Sequence, residues 1–165
     1  MTIRISEERD WPEIIAIYNQ AVEARGATAD LAPVSVHSRR EWFEAHAEPR
    51  FPIYVDEGSG KIMGWCSVSP YRSGRAALKK TAELSYYVHA GFRRKGVATG
   101  LLEHAIAGCR RDGFKNVFAI LLAGNTTSFA VLTKLKFELW GRLPGVAEID
   151  GKEIDHLYFG KRIGT

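Results

Sequence analysis

The densest group of chemically useful side chains lies in the stretch Ala82–Leu102, AELSYYVHAGFRRKGVATGLL. Arg93, Arg94 and Lys95 run directly into Gly96, Val97, Ala98 and Thr99, with the spacing Arg93-x-x-Gly96-x-Ala98. These residue types suit the binding of an anion. The cations supply charge-assisted donors. Gly96 lets an anion come close to the backbone, and Ala98 leaves room one turn on. A helix starting at Gly96 would add unpartnered N–H groups and the positive end of its dipole. A Walker loop is excluded, because the chain has no Gly-x-x-x-x-Gly-Lys-Ser/Thr here. On these residues alone, a solvated basic turn capping a core helix accounts for the pattern as well. A carboxylate, Glu83, precedes the run Leu84–Val88. Apolar neighbours raise a carboxyl pKa toward the range useful for proton transfer at neutral pH. On the residues alone, Glu83 also reads as a surface acid at a strand start.

The elements that must hold these residues follow from periodicity. Glu83–His89 alternates and is rich in aromatic and β-branched residues, which predicts a strand. From Gly96, Val97, Leu101, Leu102, Ala105 and Ile106 recur at helical spacing up to residue 111, with Asp112-Gly113 as the stop. Asn116–Leu122, NVFAILL, is nearly all apolar and predicts a strand buried on both faces. Helix 96–111 joins these two strands, so they are parallel. Around this centre the spacing predicts a strand at Thr2–Ser6 and a helix opened by Asp10 and Glu13 as a capping box, with Pro12 in its first turn. A second helix follows, carrying Trp42 and Phe43 and capped by Ser38 with Glu41. Strands Pro52–Asp56 and Ile62–Ser69 form a hairpin across Glu57-Gly58-Ser59-Gly60. Pro70–Lys80 is a basic loop, Thr126–Lys136 a helix, and Phe137–Arg142 and Glu153–Lys161 closing strands about an Asp150-Gly151 turn. The order βααβββαβαββ gives an α/β (α+β) fold: one mixed, twisted sheet with helices on both faces, in one domain spanning 1–165.

Composition narrows the function. At 45% hydrophobic and 25% charged residues, the chain is that of an ordinary globular domain. No apolar run is long enough to span a membrane, and MTIRISEERDW carries no signal-peptide core, so cytoplasmic residence is expected. Cys66 and Cys109 stand far apart and read as free buried thiols. The histidines show no metal-ligand spacing, so no metal is expected. A net charge of +4 suits a polyanionic small molecule and is too weak to imply nucleic acid.

The Arg93-x-x-Gly96-x-Ala98 spacing resembles the pyrophosphate-binding motif of the GNAT acetyltransferase superfamily, Arg/Gln-x-x-Gly-x-Gly/Ala. The resemblance then spreads over the chain. Ile17-Tyr18-Asn19, Thr28-Ala29-Asp30, Pro33-Val34, Arg40-x-Trp42-Phe43, Gly64-Trp65 and Thr81-Ala82-Glu83-Leu84-Ser85 resemble the phosphinothricin N-acetyltransferase family within it. So do Gly113-Phe114, Asn125-x-x-Ser128, Trp140-Gly141, Gly145-Val146 and Asp150-Gly151. This resemblance implies a GNAT fold, mostly antiparallel, whose central parallel pair splays around acetyl-coenzyme A. It implies that Arg93, Arg94, Lys95, Gly96, Val97, Ala98 and Thr99 hold the pyrophosphate. Tyr87 and Val88 would offer backbone groups to the pantetheine arm and thioester. Asn125 would bond the pantetheine with Ser128 nearby; an ordinary helix N-cap is an equal reading of Asn125. Glu83 becomes the general base. Arg72, Arg75 and Leu78, in the loop Tyr71–Lys80, would line the acceptor pocket, with the two arginines pairing an acidic acceptor; a solvated basic loop is the alternative.

The chain departs from the family at several points. Arg75-Ala76-Ala77-Leu78 replaces the usual Arg-Pro-Ala-Tyr, so a pocket hydroxyl is lost at Leu78 and the loop loses rigidity. Leu132 stands where many GNAT enzymes carry a Tyr that protonates the leaving thiolate. Lys136 replaces the Gly of the Leu-Gly-Phe signature, so a different helix end is expected. Ile154 precedes Asp155 where a His can stand, and His156 is expected to be structural. The resemblance implies acetyl transfer from acetyl-coenzyme A to the amine of a small amino-acid-like acceptor such as phosphinothricin or methionine sulfoximine, in a ternary complex, by a homodimer. Two other readings predict different chemistry: acetylation of a protein N-terminus or lysine, which needs an open groove, and a weakly catalytic coenzyme A-binding sensor.

Overall fold

The computed structural model describes residues 2–47 and 49–164. Seven strands form one sheet in the order β1-β2-β3-β4-β5-β7-β6. They are β1 (Thr2–Ile5), β2 (Ile53–Gly58), β3 (Lys61–Pro70), β4 (Thr81–Val88), β5 (Asn116–Leu122), β6 (Glu138–Ile149) and β7 (Lys152–Arg162). The helices are α1 (Trp11–Ala24), α2 (Arg40–Ala45), α3 (Val97–Arg111) and α4 (Thr126–Lys134). Element order follows the sequence reading. Every strand pair is antiparallel except β4–β5, the pair joined by α3.

Side-chain alternation sends the strands' apolar residues to two cores. On one face α1 and α2 bring Ile14, Ile15, Ile17 and Phe43 against Ile53, Val55, Ile62 and Trp65. The other face packs Leu101, Leu102, Ala105 and Ile106 of α3, with Leu132 of α4, against Cys66, Leu84, Val117 and Ala119. The β4–β5 ladder is short. Thr81, Ala82 and Glu83 pair with Asn116, Val117 and Phe118, and the strands then part. The remainder of β4, Leu84–Val88, has β3 on one side and a gap on the other.

Turn chemistry agrees with the sequence at both hairpins. Ser59-Gly60 and Asp150-Gly151 each have two positive φ angles, as a two-residue type I′ loop requires. Capping differs from expectation. Asp10 does not cap α1 with its side chain. Its carboxylate accepts the Glu7 N–H at 2.7 Å and two bonds from Arg4, at 2.7 and 2.9 Å, because a 3-10 turn precedes the helix. Glu13 instead accepts the Ile62 N–H at 3.0 Å, tying α1 to β3. Ser38 bonds back to Ser35 and leaves α2 without a side-chain cap. Strand β6 runs beyond Arg142 to Ile149. As an edge strand, β6 tolerates Pro144, and its irregular register with β7 accommodates the proline. Lys136, expected to change the end of α4, takes the left-handed φ of 63° itself. Phe137 N–H bonds Leu132 C=O at 2.9 Å and Lys136 N–H bonds Thr133 C=O at 3.0 Å, a Schellman stop built without glycine.

Candidate active site

The gap beside Leu84–Val88 opens into a cavity of about 350 Å³. Its walls come from the end of α1 (Ala21, Ala24), from Tyr86, Tyr87 and Val88, from Arg93 and Ala98 beside α3, and from Asn125, Ser128 and Val131 at α4. The structure therefore brings Tyr87, Val88, Arg93, Ala98, Asn125 and Ser128 to one place.

At one end stands the N-terminus of α3. Gly96 is its N-cap residue with φ of 84°, a conformation that glycine alone adopts at little cost. A Cβ at Gly96 would meet no protein atom within 4 Å, so the space above it is open. Among the described residues, the N–H groups from Arg93 to Thr99 have no acceptor. Arg93, Arg94 and Lys95 are exposed and form no ion pair among the described residues; Lys95 lies over the Phe92 ring at 5.1 Å. Free amides, a helix dipole and three free cations are the features that suit an anion. Val97 differs from its neighbours. Its side chain is 1% exposed and sits in the core, so only its backbone can serve the site. Close packing fixes this end: a Cβ at Gly64 of β3 would lie 2.8 Å from the Val97 side chain and 2.9 Å from the Tyr87 carbonyl oxygen.

Asn125 caps α4, its Oδ1 accepting the Ser128 N–H at 3.1 Å. Its Nδ2 has no protein acceptor among the described residues, so capping leaves donors for a ligand. Leu132 is 0% exposed within the core.

On the opposite face, Glu83, Ser85 and Tyr87 form a row, paired with Ser69, Ser67 and Trp65 of β3. Burial raises the Glu83 carboxyl above its ordinary range. No hydrogen bond or ion pair offsets that burial among the described residues. Beside it, His46 accepts or donates to Ser69 Oγ at 3.0 Å, and burial lowers its pKa. Ser85 and Tyr87 line a smaller cavity of about 150 Å³, walled by Tyr18, Arg39, Trp42 and Trp65. The α1–α2 loop closes it. Asn19 clamps Val34 through two 2.9 Å bonds, and Tyr18 donates to Asp30 at 2.5 Å while sharing a 2.7 Å bond with Thr28. Arg39 pairs with the same Asp30 and lies 5.9 Å from the Tyr18 ring centroid.

Arg72, Arg75 and Leu78 line a separate groove with Arg50, Phe51, Lys79 and Thr81. Thr81 shares a strand face with Glu83, so Glu83 stands between this basic groove and the aromatic cavity. Asp155 clamps the β6 irregularity through Arg142 and the Gly145 N–H, while His156 packs against Tyr158. Sequence reasoning missed Tyr18, Arg39, Trp42 and Trp65 as cavity walls. Aromatics at helix spacing look the same whether they fill a core or face a cavity.

Among the described residues no group of His, Cys, Asp or Glu is arranged to hold a metal, and no helix is long and apolar enough to cross a membrane.

Comparison with known proteins agrees with this geometry. The family model described as "Acetyltransferase (GNAT) family" matches residues 11–137. YwnH of Bacillus subtilis (strain 168) is 38% identical over 164 residues, covering 99% of each chain. An L-methionine sulfoximine/L-methionine sulfone acetyltransferase of Pseudomonas paraeruginosa is 33% identical over 93% of this chain and 90% of that one. A solved GNAT superfamily phosphinothricin acetyltransferase from Sinorhizobium meliloti, in complex with acetyl-coenzyme A, superposes with a TM-score of 0.92 at 26% identity, covering 99% and 88% of the two chains. With its parted β4–β5 pair and a family model matching most of its length, the chain belongs to the GNAT family of acetyltransferases.

Proposed function

We propose that the protein transfers the acetyl group of acetyl-coenzyme A to the amine of a small amino-acid-like acceptor of the phosphinothricin or methionine sulfoximine type. The observation that carries this reading is the gap in β4–β5. It joins the open N-terminus of α3 to a half-buried carboxylate, unpaired among the described residues, on the other face of the sheet. The residues fit the cosubstrate. Arg93, Arg94 and Lys95, with the amides of Gly96–Thr99, would hold the pyrophosphate. The backbone of Tyr87 and Val88 would pair the pantetheine arm as a missing strand would, and Asn125 and Ser128 would bond it from α4. When bound, acetyl-coenzyme A supplies an activated thioester. Near Val88 a backbone N–H polarises the carbonyl. Glu83 takes the proton that keeps the acceptor an unreactive ammonium.

The acceptor occupies the Glu83 face. The aromatic cavity of about 150 Å³ suits a short side chain, and Arg39, held by Asp30 through Nη2, keeps its other N–H groups for an anionic group. Arg72, Arg75 and Leu78 flank Glu83 from the separate basic groove. The protein works as a homodimer in the cytoplasm. Exposed Leu139, Trp140, Leu143 and Val146 on edge strand β6 support pairing with a second copy. The buried free thiols Cys66 and Cys109 suit a reducing compartment.

The test is thiol release from acetyl-coenzyme A across amino acids, sulfoximines, sulfones, polyamines and peptides. Turnover with sulfoximines, sulfones or neutral amino acids is expected. A clear preference for spermidine or cationic peptides would refute the acceptor class, and no thiol release with any amine would refute the transferase reading.

A further inference from the structure

We propose that Tyr86 is the acid that serves the leaving sulfur, its hydroxyl donating to coenzyme A as the thioester C–S bond breaks. This rests on the acetyl-coenzyme A reading above and assigns a residue to the half of the reaction that Glu83 cannot serve.

Alternation along β4 places the two groups. Glu83, Ser85 and Tyr87 face α1 and α2, whereas Tyr86 and Val88 pack against the core beneath α3 and α4. The gap beside β4 lies between these faces. An amine arriving on the Glu83 side and a thiol departing on the Tyr86 side need different proton carriers, and one strand supplies both. Tyr86 lines the same cavity as Val88, Ala98, Asn125 and Ser128, the groups assigned to the pantetheine arm.

The hydroxyl itself is unusual. It is buried, and it is one of two buried side-chain polar atoms among the described residues without a hydrogen-bond partner. The other, Asp56 Oδ1, is on β2 and does not line this cavity. A buried hydroxyl left unpaired costs stability, so one that lines a site is suited to a partner that arrives with the ligand. Burial raises the phenol above its ordinary pKa, with the Ser128 side chain offsetting part of the rise. The neighbouring ionisable groups are Cys66 and Tyr87, both shifted upward as well. Tyr86 therefore carries its proton throughout the working pH range, with the Ser128 side chain its nearest polar neighbour. Leu132 offers no donor from α4.

The step balances. The amine nitrogen bonds to the thioester carbon and the C–S bond breaks with its electron pair on sulfur. The hydroxyl proton of Tyr86 passes to that sulfur. The amine's protons leave through Glu83 to water, and the phenolate takes a proton back from water as the products depart.

The test is Tyr86→Phe, which removes one oxygen and leaves no protein group unpaired, so the fold is retained. Coenzyme A affinity is measured by calorimetry, and the pKa of the bound thiol by the ultraviolet absorbance of its thiolate. Affinity for coenzyme A at neutral pH, where the thiol is protonated, should be nearly unchanged. The bound thiol pKa should rise by about one unit, the worth of one hydrogen bond to a charged group. The value of kcat/KM should fall by about 10- to 100-fold, the lower part of the general-acid range. An unchanged thiol pKa, or activity equal to that of the parent, would overturn the assignment. Failure of the parent protein to bind coenzyme A would overturn the cofactor reading along with it. Normal binding with an unmoved thiol pKa in the variant would overturn the role of Tyr86 alone.

Discussion

Replacing Glu83 by Gln separates proton transfer from packing, because the two side chains match in shape. An α-amino group titrates near 8 and a lysine-like amine near 10.4, so at pH 7 only about one in ten to one in a few thousand acceptor molecules is the free amine. A base that removes the proton on the enzyme typically contributes about 10²–10⁴-fold. Glu83→Gln should therefore lower kcat/KM by about 10²-fold near pH 7, and the deficit should narrow as rising pH deprotonates the acceptor in solution. Stability should move the other way. Burial raises the Glu83 pKa with no partner to offset it. The native state thus binds more protons than the unfolded chain between the unfolded and folded pKa values. This group's contribution is most favourable below the unfolded value and is lost as pH rises through the folded one. At neutral pH the variant, free of a buried charge, should melt at the same temperature or higher. The assay is kcat/KM against pH for both proteins by thiol release, with coenzyme A affinity as control. Parallel profiles at every pH, or full activity at pH 7, would refute the base assignment.

Other perturbations address the remaining parts. Gly96→Val puts a β-branched side chain at φ of 84° and into the open space above α3. Stabilisation by coenzyme A, about 2.7 kcal/mol at 100 times Kd in the parent, should vanish in thermal melts while the fold persists; an unchanged shift would place the phosphates elsewhere. Arg39→Ala should raise acceptor KM by about 10- to 100-fold if this fork holds the acceptor's anionic group. A rise confined instead to Arg72→Ala or Arg75→Ala would move that contact to the basic groove. Lys136→Gly should stabilise the protein by about 0.5–1 kcal/mol in denaturant melts, since a side chain in the left-handed region is strained; destabilisation would show that the Lys136 side chain contributes more than its backbone costs.

Much of this arrangement is legible in the residues. Element order, the parallel pair and both hairpins follow from periodicity and from the turn residues Glu57–Gly60 and Asp150-Gly151; their type I′ geometry is seen in the structure. The anion site is readable because Gly96 follows three cations at a strand-to-helix turn. The Asp10–Glu13 spacing is compatible with a capping box, and only tertiary structure shows that Arg4 claims Asp10. The residue pattern ends a strand at Arg142, whereas β6 continues past Pro144 to Ile149 because an edge strand tolerates a proline. The aromatic cavity was hidden for a different reason. Trp42 and Trp65 have the spacing of core residues, and much of each ring is in the core. Whether one ring edge faces solvent depends on how the Asn19–Val34 clamp holds a loop that has no periodicity of its own. Tyr86 was hidden likewise, since a strand pattern cannot show that its neighbour strand has parted.

The most direct test is an amide NMR titration with coenzyme A and then methionine sulfone. The account predicts that coenzyme A shifts the backbone amides of Arg94–Thr99, Val88 and Asn125, and that the sulfone then shifts the Trp42 and Trp65 indoles. Shifts centred on Arg72–Lys79 with the α3 amides unmoved would contradict it.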